Sequence, residues 1–329
     1  MTTESRHAAL LTLWEARLTK NMARLEAWRR REGVSCYRVY DRDTPELPLA
    51  VDVFVDDDSG LPVIVLNAWA PKHGGGQAFA ALVEHCARSA ARMLGADDRY
   101  VVQLREPGPG GELLHDELET SRFEFWAREG KARFRLRVGA RRDPGLFLDH
   151  RVTRARVAAV ASGRRLLNLF AYTGSFSVHA ALAGAAATVS VDLSASTCRW
   201  ASENIRANGL DPSVHRVVQH DALAFLDDDD GRWDVIVIDP PSFSKSRRTR
   251  QTFDVQRDHP SLVAQALGRL SEGGELWFSC NRRDFALAID RVPEGFVVDD
   301  LSNATTPPDF RGRPHTCIRL RRVISARRA

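Results

Sequence analysis

LLNLFAYTGSFSVHAALAGAAATVSVDLSASTCRWASENIRAN, residues 166–208, switches twice between the two periodicities of regular structure. Leu166–Phe170 is a short apolar run, followed by a loop with a single glycine, Gly174, and an alanine-rich helical stretch, Ser177–Ala183. Thr188–Val191 reads as the next strand and ends in Asp192; Ser194–Asn208 carries apolar residues at helical spacing. The alternation continues downstream. Val214–Gln219 and Trp233–Ile238 read as strands, His259–Leu270 as a helix and Glu275–Cys280 as a strand. Strands separated by helices need crossover connections, so the expectation is an α/β fold with a parallel sheet covered on both faces.

Upstream the texture differs. Ser5–Arg31 places Leu10, Leu13, Trp14, Leu18, Met22, Leu25 and Trp28 on one helical stripe that ends at Gly33. Extended runs follow at Cys36–Tyr40, Ala50–Val55 and Pro62–Ala68, the last two flanking the turn sequence Asp57–Gly60. The glycines at Gly74–Gly76 break the chain. Gln77–Leu94 predicts a second helix and Tyr100–Arg105 a strand, and Phe123–Ala127 with Ala132–Val138 predicts a hairpin around Arg128–Lys131. The division expected is a smaller α+β region over residues 1–140, a candidate RNA-orienting part, and an α/β domain over residues 141–329.

Composition narrows the class. The 329 residues are 43% hydrophobic and 27% charged, as in ordinary soluble globular proteins. Apolar runs such as Val235–Ile238 fall far short of the ~20 residues of a membrane span. Met1–Lys20 lacks the apolar core of a signal peptide, so no membrane partner and a cytoplasmic location are expected. The 5 cysteines are scattered and form no Cys-x-x-Cys pair, which argues against a disulfide framework or a metal site. Net charge is only +4, but arginines crowd into Arg24–Arg31, Arg128–Arg142, Arg151–Arg165, Arg247–Arg257 and Arg311–Arg328. Guanidinium groups suit bidentate phosphate binding; a GC-rich genome would give the same bias without function.

In an open parallel sheet the ligand lies beyond the carboxyl ends of the strands. The first strand runs out through Asn168, Leu169, Phe170, Ala171, Tyr172, Thr173, Gly174 and Ser175, with one glycine rather than a dinucleotide fingerprint and no phosphate-loop lysine. The second ends in Asp192, placed to accept from ribose hydroxyls; the third leads to Asp221-Ala222, placed to accept from an adenine amine. The fourth ends in Asp239-Pro240-Pro241-Ser242-Phe243. Taken singly, each aspartate reads as a helix cap or a solvated turn. As an ordered set with no phosphate cradle they describe an adenosyl group that carries something other than pyrophosphate. The two prolines remove two backbone donors and stiffen the loop, leaving the Asp239 carboxylate and the Pro240 carbonyl as acceptors. Asp239, Pro240 and Pro241 are therefore the candidate catalytic segment.

Asn168–Ala180 (NLFAYTGSFSVHA), Val191–Ser194 (VDLS), Asp239–Ser244 (DPPSFS), Phe253–His259 (FDVQRDH) and Phe278–Asn281 (FSCN) resemble the bacterial 23S ribosomal RNA guanine-N7 methyltransferases. So do Asn21–Phe54, Gly145–Arg151 (GLFLDHR) and Asp309–Cys317 (DFRGRPHTC), so the resemblance covers most of the chain. In many bacteria that enzyme is the C-terminal half of a bifunctional protein whose other half methylates guanine N2; this sequence looks like the N7 enzyme alone. The resemblance implies a Rossmann-like class I methyltransferase domain with a mostly parallel seven-stranded sheet. It implies S-adenosyl-L-methionine as cofactor, held by His150, Arg151, Asn168, Tyr172, Thr173, Gly174, Ser175, Asp192, Ser194, Asp221, Ala222 and Asp239, with Arg151 suited to the methionine carboxylate. It implies 23S ribosomal RNA, or a ribosome assembly intermediate, as partner. Substrate contacts are expected from Ser242, Phe243, Lys245, Arg247, Arg248, Arg257 and Asn281, with Arg250 in the same basic run.

Cys280 departs from the pattern, since the N7 enzymes usually carry Asn there. A cytosine-C5 branch of the superfamily has a nucleophilic Cys at that place, because C5 must be activated by thiolate addition at C6. Guanine N7 already has an in-plane lone pair. The third option is a small buried residue at a strand end. Asn281-Arg282-Arg283 after Cys280 follows the N7 pattern. Two further classes stay open: a methyltransferase acting on small molecules or proteins, and a non-catalytic RNA-binding protein with a methyltransferase fold.

Overall fold

The computed structural model describes residues 3–71, 76–105, 123–139, 143–245 and 252–322. The chain falls into two units, Met1–Leu148 with Pro308–Arg311, and Asp149–Pro307 with Gly312–Ala329.

In the first unit the amphipathic stripe forms helix α1 (Thr3–Glu32) and buries Trp14, Leu18, Leu25 and Trp28. Each such leucine contributes about 1.5–3 kcal/mol. Strands β1 (Cys36–Asp41), β2 (Leu49–Val55) and β3 (Pro62–Trp69) are successive antiparallel neighbours. Helix α2 (Gly76–Leu94) then crosses over, so β4 (Tyr100–Arg105) pairs parallel to β3. Its buried face, Leu82, Val83, Cys86, Ala87 and Ala90, shares one core with α1 and the sheet. Strands β5 (Phe123–Glu129) and β6 (Ala132–Val138) make the expected antiparallel ribbon. Segment Pro308–Arg311 belongs to this unit. Asp309 accepts the Arg38 backbone N–H at 2.9 Å, the Arg38 guanidinium lies 4.5 Å over the Phe310 ring, and the Arg311 N–H donates to Asp41 at 3.0 Å.

The second unit follows a 3-10 turn at Leu148–His150. Its elements in order are α3 (Arg151–Ala161), β7 (Arg165–Leu169), α4 (Ser175–Leu182), β8 (Ala187–Asp192), α5 (Ala195–Ala207), β9 (His215–Gln219) and α6 (Ala222–Asp228). Then come β10 (Trp233–Ile238), β11 (Phe243–Lys245), β12 (Thr252–Asp254), α7 (Val255–Gly268), β13 (Leu270–Cys280), β14 (Phe296–Asp300), α8 (Ser302–Thr305) and β15 (Thr316–Arg322). Seven strands form one sheet in the order β14-β15-β13-β10-β7-β8-β9. The five strands from β13 to β9 are mutually parallel, and β15 runs antiparallel between β13 and β14. The chain winds outward from β7 through β8 to β9, then returns to the other side of β7 with β10. The crevice between β7 and β10 is therefore the switch point where such sheets bind ligands.

Strand periodicity distributes the core. Leu167, Leu169, Ile236, Ile238, Leu276, Phe278 and Cys280 face α6 and α7, whereas Leu166, Val235, Val237, Trp277 and Cys317 face α3 and α4. Both faces are buried, as the near-continuous apolar runs demand. Helix α7 starts four residues before the expected His259, because the Asp254 carboxylate caps it by accepting from Gln256 N–H at 2.9 Å and Arg257 N–H at 3.2 Å. Pro260 consequently sits inside the helix. Among the described residues no helix is long and apolar enough to cross a membrane.

Candidate active site

Three of five consecutive residues in the β7–α4 loop have left-handed backbone: Phe170 (φ 56°), Tyr172 (φ 50°) and Gly174 (φ 75°). For the two non-glycine residues this conformation costs about 1–2 kcal/mol each and survives only where the surroundings impose it. The restraints are specific. Ala171 N–H donates to the Val191 carbonyl at 2.9 Å, Tyr172 N–H to Asp192 Oδ2 at 2.9 Å, and the Asn204 amide to the Thr173 carbonyl at 2.9 Å. Beneath the loop Asn168 donates to the Ser177 hydroxyl at 3.1 Å, and Ser190 to the same hydroxyl at 2.6 Å. Asn168 and Thr173 are buried and brace the loop from below, while Tyr172 and Ser175 are half-buried at its surface. Glycine at 174 is needed twice over, for its φ and because a Cβ would stand 3.3 Å from the Ala201 Cβ.

Asp192 ends β8 and organises this loop as well as facing the crevice. Its Oδ1 accepts from Ser194 N–H at 2.9 Å and Thr197 Oγ1 at 2.7 Å, and its Oδ2 from Tyr172 N–H. Three of roughly four acceptor positions are thus taken, which leaves Oδ2 room for one further donor. Ser194 caps α5 through its side chain. Asp221 caps α6 with one oxygen, Oδ1, which accepts from Leu223 N–H at 3.0 Å and Ala224 N–H at 3.1 Å. Its Oδ2 takes no donor among the described residues, so the helix-cap reading and an acceptor role coexist on one carboxylate. Ala222 is buried beside it.

At the end of β10, Asp239 Oδ1 accepts from Ser279 Oγ at 2.6 Å, and Oδ2 lies 3.5 Å from His150 Nε2. Pro240 is buried and Pro241 exposed. His150 itself is buried, and desolvation holds its pKa below the ordinary imidazole value against the opposing pull of Asp239 and Asp149. Its ring stacks on His315 at 4.3 Å and 24°, and His315 Nδ1 is 3.2 Å from Asp149 Oδ2. Asp149, His150 and His315 bring ligand atoms within 4.8 Å of one another. Stacked rings send their in-plane lone pairs side by side rather than to one point, which suits a hydrogen-bonded cluster better than an ion. Arg151 is half-buried at the first position of α3.

Among the residues expected to contact substrate, Ser242 Oγ donates to Asn281 Oδ1 at 2.9 Å, and Phe243 is 52% exposed at the start of β11. Lys245 closes that strand. Arg247 and Arg248, with Arg250, lie outside the described residues. Arg257 is forked onto Asp258 at 2.7 and 2.8 Å and reaches the Thr252 carbonyl, so its guanidinium is already engaged. The FDVQRDH stretch clamps the loop after β13. Asp254 accepts from Arg282 at 3.0 Å; the Gln256 side chain donates to the Ala286 carbonyl at 2.9 Å and accepts its N–H at 3.0 Å; His259 Nε2 accepts the Ala288 N–H at 2.9 Å.

Cys280 is fully buried against the α7 core. Burial pushes its thiol up to about 11, and its Sγ accepts the Arg282 N–H at 3.3 Å. Sequence reading missed the supports: Ser177, Ser190, Asn204, Gln256, Ser279 and His315. One signal was available, because Ser177, Ser190 and Asn204 put polar groups at positions where the periodicity calls for core.

The S-adenosylmethionine-dependent methyltransferase model matches residues 60–304. The chain is 38% identical over 306 residues to the ribosomal RNA large subunit methyltransferase K/L of Shewanella loihica, covering 92% of this chain and 42% of that protein. It is 41% identical over 307 residues to the protein of the same name from Chromohalobacter salexigens, covering 93% and 41%. The chain therefore spans about two fifths of the length of these curated relatives. Among solved structures, SMU.776 complexed with SAH superposes with a TM-score of 0.74 at 21% identity, over 94% of this chain and 81% of that one, a likeness of fold.

Proposed function

The chain belongs to the S-adenosylmethionine-dependent methyltransferase family, and from that premise we propose that it methylates N7 of a guanine in 23S ribosomal RNA, free or within a ribosome assembly intermediate. The Shewanella and Chromohalobacter relatives are both named for large-subunit ribosomal RNA, and a cytoplasmic place of action goes with such a substrate.

The crevice fits the cofactor on its own chemistry. It offers open acceptors on Asp192 Oδ2 and Asp221 Oδ2 and a restrained loop at Tyr172–Ser175, with one glycine and no lysine of a phosphate cradle. These residues would hold S-adenosylmethionine, which supplies an electrophilic methyl group on sulfonium sulfur. The chain's own task is then positioning. Asp239, with Ser279 on one oxygen, and the Pro240 carbonyl accept from the N1–H and N2–H edge of a guanine turned out of its stack. Phe243, exposed beside them, offers a stacking face. Lys245, Arg247, Arg248 and Arg250 follow in sequence and are assigned to RNA phosphates. The first unit is assigned to orienting the RNA, and its β5–β6 ribbon presents Arg133 and Arg135 against Trp126 at 5.0 and 5.2 Å.

The observation that carries N7 over cytosine C5 is Cys280. A thiol in the α7 core, raised to about 11 and accepting a backbone N–H, is a packing group rather than a nucleophile. The N7 lone pair needs no covalent activation. Mass-spectrometric mapping of 23S RNA from a strain lacking the gene tests the reading. A lost 7-methylguanine, recognised by strand cleavage after borohydride and aniline, is the expected result; a lost 5-methylcytosine overturns it.

A further inference from the structure

We propose that His150 is a positioning residue of the methyl-transfer site: it holds the Asp239 carboxylate in place, and His315 and Asp149 hold it in turn. The inference rests on the proposed function, in which Asp239 faces the reacting base.

The reason lies in the two residues after Asp239. An aspartate at a strand end ordinarily fixes its carboxylate on the N–H groups one to three residues ahead, as Asp192, Asp221 and Asp254 all do here. Residues 240 and 241 are both proline and have no N–H to offer. The i+2 N–H that serves those three aspartates is thus missing here, and the Asp239 carboxylate is met instead by partners distant in sequence. Two stand among the described residues. Ser279 on β13 donates to Oδ1 at 2.6 Å, and His150 Nε2 stands 3.5 Å from Oδ2. Removing the histidine would leave one oxygen of the carboxylate without an orienting group.

His150 in turn has few degrees of freedom. It is buried, and among the described residues its Nδ1 has no hydrogen-bond partner. Nε2 faces the Asp239 carboxylate, which only accepts, and so carries the single proton of the neutral ring. Burial outweighs the opposing pull of Asp239 and Asp149 on its pKa and favours the neutral ring. His315 lies flat against it at 4.3 Å, and both nitrogens of that second ring are engaged, Nδ1 with Asp149 Oδ2 at 3.2 Å and Nε2 with Thr305 Oγ1 at 3.1 Å. The Thr305 hydroxyl is anchored on the Leu301 carbonyl at 2.9 Å. The histidines of the GLFLDHR and RPHTC stretches, far apart in sequence, thus meet face to face behind the Asp-Pro-Pro loop.

Two measurements test this on the full chain. Hydrogen exchange followed by mass spectrometry needs no substrate. His150→Leu and His315→Leu should each speed exchange of the segment 239–245 about tenfold while strands β7 and β8 keep parent rates; unchanged exchange in that segment overturns the proposal. Kinetics supply the second arm, with methyl transfer to ribosomal RNA as readout. His150→Leu should lower kcat about 10- to 100-fold, the usual cost of a misplaced reacting group, and by more than it raises KM for S-adenosylmethionine. His150→Gln, which restores an N–H of similar reach, should recover much of that loss. In an Asp239→Ala background His150→Leu should cost nothing further, whereas effects that multiply mean the histidine supports the fold and not the carboxylate. A parent that methylates no RNA would sink the substrate reading, and the exchange measurement would still decide the positioning role.

Discussion

Replacing Asp192 by alanine separates the two jobs assigned to that carboxylate. Three protein donors end on it: Tyr172 N–H at 2.9 Å, Ser194 N–H at 2.9 Å and Thr197 Oγ1 at 2.7 Å. Each is charge-assisted and worth about 1.5–3 kcal/mol before relaxation. The half-exposed site lets water replace part of this, so a net stability loss of about 2–4 kcal/mol is expected. The left-handed Tyr172 also loses the partner that opposes its own strain. The remaining acceptor position on Oδ2 is the one that the proposed function gives to a ribose hydroxyl. Losing that bond alone costs about 1.5–3 kcal/mol, which at 1.4 kcal/mol per tenfold is about 10- to 150-fold in Kd. Thr197→Val is the control, since it removes one donor from Oδ1 and leaves Oδ2 alone. It should lower thermal stability by less than half as much and change Kd by less than about threefold. Calorimetric titration with S-adenosylmethionine and a melting curve for each variant supply all four numbers. An Asp192→Ala protein that melts early yet binds at parent affinity would show the carboxylate to be a loop brace only. A Thr197→Val protein that binds as poorly as Asp192→Ala would place the whole effect in the loop.

Cys280→Ser should retain most of its turnover, and at pH 8 the folded parent should resist alkylation there. A thiol near 11 is about one part in a thousand thiolate at that pH. An inactive variant that still folds and binds cofactor would return the cytosine reading. Exchanging Lys245, Arg247, Arg248 and Arg250 together for serine should weaken RNA binding and flatten its dependence on salt, with cofactor affinity unchanged; parent-like binding at low and high salt would make the run mere surface. Gly174→Ala should destabilise the second unit by about 1–2 kcal/mol from its φ of 75° alone, seen as a lower melting temperature, and more if Ala201 cannot yield. Burial depresses the pKa of both His150 and His215, so below about pH 6.5 the unfolded chain binds protons there that the folded one does not. Stability should therefore fall from pH 7 to 5, and the double variant His150→Gln, His215→Gln should lose part of that slope in urea melts. An identical slope would contradict the assignment.

Much of the second unit was legible because its strands are buried on both faces and its helices have clear stripes. Asp192, Asp221 and Asp239 stand at strand ends in the sequence and at strand ends in the fold. The unassigned elements have weak local signals: α3 lies within an arginine cluster, α6 is a single short helix, β11, β12 and α8 are three or four residues long, and β14 and β15 join the sheet edge antiparallel. The start of α7 was misplaced because Pro260 looks like a helix opening, whereas Asp254 caps the chain one turn earlier.

Residue order by itself determined the α/β class and the placing of Asp192, Asp221 and Asp239 at or just beyond the carboxyl ends of successive strands, since strand period, glycine placement and the residue after each strand are local properties; the switch between β7 and β10 came from the sheet order. Only the tertiary structure decided what those residues share. It tied Asp192 to Tyr172 across the loop, split Asp221 between capping and an open oxygen, sank Cys280 into the α7 core, and put His150 against His315 behind Asp239. The Asp192–Tyr172 and His150–His315 pairings join residues 20 and 165 positions apart, and no spacing rule in a sequence reports a contact that the packing of a sheet between two helical layers creates.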